Sequence, residues 1–431
     1  MLRPAQPDVL SNSTSMLLSY LKIAWRGWQR RKFFTSISLF GISFTLMMLT
    51  VVYALFDHAV GARAPEQHTD RLLFINRMVL KGPESQNASA VGYAFLERYV
   101  RTLRTPEAVA VSDAYPTNVA LYVGQQAIKV DRRYTDATLW RVLDFDFVAG
   151  RPYSATEVRD AAHVLVLNET LARRSFGTAA AAVGRALQFE GQPYQVVGVV
   201  ADVPTSRELT YAECWMPITT TKADLRSADY YGEFQAIVLA RRAADVPAIQ
   251  DEYQQVLRRL PVPDPKQYKE IRSYARTLLA HYMASHDNEA DQSGDAGAFW
   301  RRWLGLGLLF MLLPALNLVN INVSRTLERA AEIGVRKAFG ATAWRLAGQF
   351  LVENVLLTLV GGALGLGLAA LVLHLLNTSQ FIPYAHLGLS GRVFGVGLGL
   401  ALVFGLLSGA YPAYKMSKLP ANQALKGRLA A

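Results

Sequence analysis

The sequence predicts an α-helical transmembrane protein of four spans, with an α+β extracytoplasmic domain inserted between spans one and two. Three observations lead there. Four uncharged or nearly uncharged apolar runs are each long enough to cross a bilayer, which takes about 20 helical residues. The cations that flank those runs gather on one side of the membrane. The roughly 240 residues between the first and second runs carry mixed strand and helix patterns instead of apolar helix.

The first run, 33–56, reads FFTSISLFGISFTLMMLTVVYALF and holds no charge. The second is 300–323, with its apolar stretch beginning at Trp303. The third, 349–376, contains Glu353 and His374, and the fourth is 393–412. One such run could be a buried core helix, but four in a chain of 431 residues, three of them crowded at the C-terminal end, argue for a membrane. Composition agrees: 51% of residues are hydrophobic and 18% are charged, against about 25% in an average soluble domain. The first run is too long for a signal-peptide core, and no small-residue cleavage site follows it, so it is expected to stay as an anchor.

The formal net charge is +11, which by itself suits nucleic acid or an asymmetric membrane topology equally well. Placement separates them. Segments 1–32, 324–348 and 413–431 together hold fifteen Lys and Arg against three acids, Asp8, Glu328 and Glu332. The rest of the chain is therefore close to neutral. The positive-inside rule puts these three segments in the cytoplasm, both termini included, and puts 57–299 and the short loop 377–392 outside. A nucleic-acid partner loses its support. The chain is expected to cross its membrane four times.

The outer segment, 57–299, is long enough for its own core, in two lobes. HVLVLNETLARRSFG (163–177) reads as a strand followed by a helix capped by Asn168. ALQFEGQPYQVVGVVADVP (186–204) reads as two strands around a turn at Glu190-Gly191-Gln192-Pro193, the second broken by Gly198. AIVLAR is another strand, and VPAIQDEYQQVLRRL an amphipathic helix with Ile249, Tyr253 and Val256 on one side. The acidic, turn-rich HDNEADQSGDAGA (286–298) reads as a stalk or linker before span two.

Chemistry is sparse. The seven His lack HExxH spacing, and GxSxG and CxxC are absent, so metal ligands and catalytic residues are both expected to be none. The single Cys, Cys214, excludes an internal disulfide and reads as a small core residue. Asp144 and Asp146 flank Phe145 and would share a face if VLDFDF were a strand, where a solvated edge is favoured over a catalytic pair.

Inside the membrane boundary, 16–32 has helical periodicity. Its Trp25 and Trp28, with Arg26 and Arg30, suit an interfacial helix anchored in lipid headgroups. Gly361 and Gly365 in span three, and Gly391, Gly395 and Gly399 before and within span four, have the spacing that lets helices approach closely. Asn317 in span two should face another helix instead of lipid. A dimer, with itself or with a related chain, would give these faces a partner. The charged connector 324–348 pairs Glu332 with Arg336 at i, i+4. Gly340 is a helix stop, so one short helix ends near Phe339 and another begins near Thr342 to feed span three. The residues alone leave two readings open: a solvated loop obeying the charge rule, or a docking surface.

EIGVRKAFGATAWRLAGQFLVENVLLTLVGGALGLGLA (332–369) resembles the signature of MacB/FtsX-type ABC transporter permeases. YPAYKMSKLPANQALKG, with Pro412, Ala413, Pro420, Ala424 and Leu425, is similar to that family's ending, although Leu419 stands where Asp is common and Lys426 where Arg is usual. The stretch VLNETLARRSFG through VVGVVADVP resembles its periplasmic domain. The resemblance implies that 324–341 is a coupling segment docking on a cytoplasmic ATPase, two copies per assembly. Arg325, Glu328, Arg329, Glu332, Ile333, Gly334, Arg336, Lys337, Phe339 and Gly340 would form the contact. With no GxxxxGK[ST] here, ATP and Mg²⁺ are expected on that separate ATPase, and no cofactor on this chain. The work implied is mechanotransmission to a periplasmic partner or cargo: efflux of peptides or drugs, lipoprotein release, or cell-envelope regulation. The alternative is a membrane-anchored sensor with a ligand-binding periplasmic domain.

Overall fold

The structure is a computed structural model, and it describes residues 28–29, 32–123, 125–285, 301, 304–305, 335, 339, 342–379, 382–385, 387–400, 402–403 and 406. The chain divides into two compact units. A helical unit takes Met1–Asp57, Trp300–Ser379 and Leu387–Ala431, and an α+β unit takes His58–Phe299 with Gln380–His386.

Fifteen strands of the α+β unit form one mixed sheet. Its main path runs Cys214–Pro217, Val164–Asn168, Gln192–Val200, Ala186–Phe189, Thr117–Val123, Gln126–Thr135, Ala108–Asp113, Phe234–Leu239, Gln86–Val91, Met78–Lys81 and Glu270–Arg272. Most neighbours are antiparallel; Val164–Asn168 with Gln192–Val200, and Cys214–Pro217 with Gln126–Thr135, are parallel. The central strands are buried on both faces, which is why they read as unbroken apolar runs. Alternation sends Leu73, Ile75, Val109, Val111, Leu165 and Leu167 into one core, and Leu72, Phe74, Ala108, Ala110, Val164 and Val166 into the other. The unit thus has two hydrophobic cores, fed from alternate residues of the central strands.

Local expectations meet the structure closely. Strand Val164–Asn168 leads into helix Glu169–Phe176, and the Asn168 side chain accepts the Leu171 N–H at 2.9 Å. Strands Ala186–Phe189 and Gln192–Val200 pair antiparallel around Glu190 (φ 50°) and Gly191 (φ 77°) alone; Gln192 and Pro193 already belong to the second strand. At Gly198 a Cβ would lie 2.3 Å from the Arg151 carbonyl oxygen, so that position requires the bare backbone. Helix Val246–Arg259 buries Ile249, Tyr253 and Leu257, with Val256 partly covered.

Asp144 and Asp146 are solvated, as favoured over a catalytic pair, but not on a strand edge. The nearest strand begins only at Phe147, so Asp144 and Asp146 lie in irregular chain and are exposed. Phe145 between them is held edge-on against Trp215 at 5.2 Å, in an aromatic group with Trp140 and Tyr153. Asp144 instead faces His68 at 3.6 Å.

In the helical unit, Lys32–Val60 and Ala343–Thr378 are single helices, and Gly391–Leu400 is a shorter apolar one. Stretches Thr35–Val60 and Leu351–Thr378 are long and apolar enough to cross a membrane. Most of the expected second span, the end of the fourth and nearly all of both termini lie outside the described residues.

Candidate functional site

Three places carry the candidate machinery: the connector, the helix seam, and the segment 205–213 of the α+β unit.

Of the ten proposed coupling residues, only Phe339 is described. It is 87% exposed, and its N–H bonds the Val335 carbonyl at 3.1 Å in a last helical turn, where the sequence expects the first helix to stop. Val335, one turn earlier, is also exposed. Arg325, Glu328, Arg329, Glu332, Ile333, Gly334, Arg336, Lys337 and Gly340 lie outside the described residues, as do Trp25, Arg26, Arg30 and Asn317. Trp28 is half-buried and packs on a cluster of Ile42, Leu46 and Leu357.

The seam is built by size. Helix Lys32–Val60 turns Thr35, Ser38, Ile42, Ser43, Leu46 and Thr50 inward, and leaves Phe33, Ile37, Phe40, Phe44, Met48 and Val52 exposed. The inward Ile42 and Leu46 lie against Gly361 and Gly365, and the other inward side chains are small, as close membrane helix packing favours. A Cβ on Gly361 would sit 2.7 Å from Ile42 Cγ2, and one on Gly365 would sit 2.8 Å from the Ser43 carbonyl oxygen. At Gly391, Gly395 and Gly399 a Cβ would meet nothing within 4 Å. Within the chain, the close approach of the last helix is made by Gly397 instead, against Leu366 and Thr50. At one end of this helix, Arg392 pairs with the buried carboxylate of Asp57 at 3.0 Å. Neither residue is singled out by sequence; a charge at the very edge of an apolar run was the available signal.

Segment 205–213 fixes two other parts of the α+β unit to its sheet. The Arg207 guanidinium, 1% exposed, is paired with Glu66, 0% exposed, and also donates to the Gly61 carbonyl at 2.6 Å. The second Glu66 oxygen accepts the Thr210 hydroxyl at 2.7 Å. Fully buried Arg133 supports the segment from below by donating to the carbonyls of Tyr211 (3.1 Å), Glu208 (2.7 Å) and Asp113. Burial pushes the Asp113 carboxyl up to about 6, despite the neighbouring Arg132 and Arg133. On the other side, Tyr211 and Glu213 receive the loop that contains Tyr384.

This arrangement offers no nucleophile–base pair. Burial raises the Cys214 thiol far above its ordinary value, which leaves it inert. Among the described residues, no group of three or more His, Cys, Asp or Glu could hold a metal ion. The described groove in the helical unit is apolar, about 280 Å³, and lined by Leu359, Gly362, Ala363, Leu366, Phe394 and Leu398. Among the described residues, buried ion pairs and a tight helix seam hold separate parts of the chain together.

Comparison with known proteins agrees. Residues 35–256 match the MacB-like periplasmic core domain, and residues 304–421 match the FtsX-like permease C-terminal region. The chain belongs to the MacB/FtsX-type ABC transporter permeases. The family's members are permease components of ABC transporters, so the α+β unit is the periplasmic core domain and the C-terminal helices belong to the permease region. The chain is 24% identical over 283 residues to the uncharacterized ABC transporter permease YknZ of Bacillus subtilis (strain 168), covering 64% of this chain and 65% of that one. It is 26% identical over 285 residues to the macrolide export ATP-binding/permease protein MacB of Bdellovibrio bacteriovorus, covering 65% and 41%. It is 22% identical over 410 residues to the pyoverdine export ATP-binding/permease protein PvdT of Pseudomonas fluorescens (strain Pf0-1), covering 95% and 59%. The chain thus spans less than two thirds of the length of these curated relatives, and the names of the last two place an ATP-binding part and a permease in one protein. Among solved structures, the extracellular domain of YknZ aligns with a TM-score of 0.35 at 14% identity, covering 46% of this chain and 98% of that one. The periplasmic region of MacB from Actinobacillus actinomycetemcomitans aligns with a TM-score of 0.36 at 13% identity, covering 52% and 95%.

Proposed function

We propose that this chain is a mechanotransmitting permease subunit, which turns ATP hydrolysis by a separate cytoplasmic ATPase into movement of its periplasmic core domain. The observation that carries this reading is the pair of family regions on one polypeptide, with the charged connector 324–341 falling inside the second. The connector docks on the ATPase, with Glu332 and Arg336 in the contact, and the exposed Val335 and Phe339 supply its apolar part. Exposed apolar anchors beside charge are the composition that interface centres favour. Two ATPase copies serve a pair of permease chains, and ATP with Mg²⁺ binds the ATPase. Both termini are cytoplasmic, and the chain crosses the inner membrane four times. The work is done outside, on a peptide, drug or lipoprotein cargo or on an envelope partner. The export roles in the names of MacB and PvdT favour efflux.

Purification of the full chain from membranes in mild detergent tests the reading. A nucleotide-binding protein should co-purify in equal number, and Glu332→Lys or Gly340→Pro should remove it or uncouple its hydrolysis. An ATPase that stays bound and fully coupled in both variants would refute the docking role.

A further inference from the structure

The loop that joins helices Ala343–Thr378 and Gly391–Leu400 does not belong to their unit: residues Gln380–His386 cluster with the periplasmic core domain. Tyr384 is the reason. Its φ of 62° lies in the left-handed region, which a bulky L side chain adopts only under constraint from its surroundings. Those surroundings are a notch made by separate elements of the sheet. The phenol donates to Glu213 Oε1 at 2.5 Å. The other Glu213 oxygen accepts the Asp131 N–H at 2.8 Å, so the carboxylate is held by the neighbouring strand. The ring lies 6.1 Å from that of Tyr211, whose own hydroxyl donates to Asp131 at 2.9 Å. Asn168 is fully buried, and its side-chain nitrogen has no hydrogen-bond partner among the described residues. One residue away, the Pro383 carbonyl accepts the Thr205 N–H at 3.3 Å.

A solvated connector between two helices needs none of this. The strained backbone, the charge-assisted hydrogen bond and the ring contact are together a seat for one side chain. We propose that Tyr384 is a positioning residue: it seats the 382–385 loop in the Asn168–Tyr211–Glu213 notch, so that the two helices joined by that loop are carried with the periplasmic core domain during the ATPase cycle. This rests on the transmission reading above. Glu213 immediately precedes strand Cys214–Pro217 and exchanges hydrogen bonds with Asp131 on strand Gln126–Thr135, so a load on the loop passes into the sheet and not into a side loop.

The test uses the full chain in membrane vesicles, with Thr205→Cys and Pro383→Cys joined by a short thiol cross-linker. Cross-linking should be near complete. Adding Tyr384→Ala should slow it at least tenfold, and Tyr384→Phe, which keeps the ring, by a smaller factor. The temperature at which buried Cys214 becomes reactive should stay unchanged, showing an intact fold. If Tyr384→Ala disturbs folding, Tyr384→Phe and Glu213→Gln must still slow the reaction. Equal rates in all variants, or no cross-link in the parent, overturn the seat. In the chain with its co-purified ATPase, the cross-link should leave ATP turnover within twofold. Tyr384→Ala should keep turnover but lose the ATP-dependent change in protease cleavage of the periplasmic domain. If the parent shows no ATP-dependent change in cleavage, the transmission reading fails, while the cross-linking rates still judge the seat separately.

Discussion

Glu66→Gln should loosen the base of the periplasmic core domain more than any surface change. The carboxylate of Glu66 is 0% exposed and its partner Arg207 is 1% exposed. Glutamine keeps the volume and can still accept the Thr210 hydroxyl, but it leaves the Arg207 charge buried with only the Gly61 carbonyl as a close acceptor. Removing one member of a buried pair costs about 3–5 kcal/mol, mostly as the penalty of the stranded charge. For a domain of this size, each kcal/mol lowers the midpoint by about 2–4 °C, so the expected fall is about 6–20 °C. The protein supplies its own probe: the sole cysteine, Cys214, is fully buried, and its thiol is further silenced by its raised pKa. Its reaction with a maleimide dye during heating of the detergent-solubilised chain reports opening of the sheet. The double variant Glu66→Met with Arg207→Met should recover most of the loss, because it removes both charges. A midpoint shift below about 2 °C in Glu66→Gln would mean that the pair is solvated, and the reasoning about this base would be wrong.

Gly365→Ala should destabilise the helix seam, because its Cβ meets backbone at Ser43 O and not a movable side-chain tip. Overpacking of about 1–3 kcal/mol outweighs the ~1 kcal/mol of helix propensity gained. Gly395→Ala, with open space around it, should be neutral or slightly stabilising in the single chain; thermal aggregation midpoints would check the order of the two. If instead Gly395→Ala lowers the share of dimer in detergent, the open glycine stripe faces a second permease. Acid should weaken the periplasmic domain through His281. Burial, with Arg276 nearby, lowers its folded pKa to about 4 from 6.5, so its contribution is complete above pH 6.5 and is lost as pH falls toward 4. Asp113 runs the other way, since its raised pKa makes the ionised form costly as pH climbs through about 6. His281→Gln should therefore shrink the fall in the Cys214-exposure midpoint between pH 7 and pH 4.5; an unchanged fall would assign the acid sensitivity elsewhere.

What could be read locally was read well. A strand leading into an Asn-capped helix at 164–176, and a Glu190-Gly191 hairpin turn, depend on neighbours a few residues apart, and the sequence carries that information directly. Alternation within VLDFDF imitates a strand around the solvated Asp144 and Asp146, while Phe145 packs against Trp215 from irregular chain. GxxxG spacing marked the glycine faces but not their partners. Spacing says that a face is small; only packing says which neighbour fills it, here at Gly361, Gly365 and Gly397.

By itself, then, the sequence determined the apolar runs, the lopsided placement of cations, the α+β character of the large insertion and the family. The first three follow from composition or from periodicity over a handful of residues; the family follows from the likeness of whole motifs to known ones. The tertiary structure alone decided that Glu66 meets Arg207 across 141 positions, that Tyr384 meets Glu213 across 171, and that Asp57 meets Arg392 across 335. These are pairings of single charged or aromatic residues that look ordinary in the chain. Burial turns them into anchors, because a charge or hydroxyl removed from water must find its complement wherever the fold brings one.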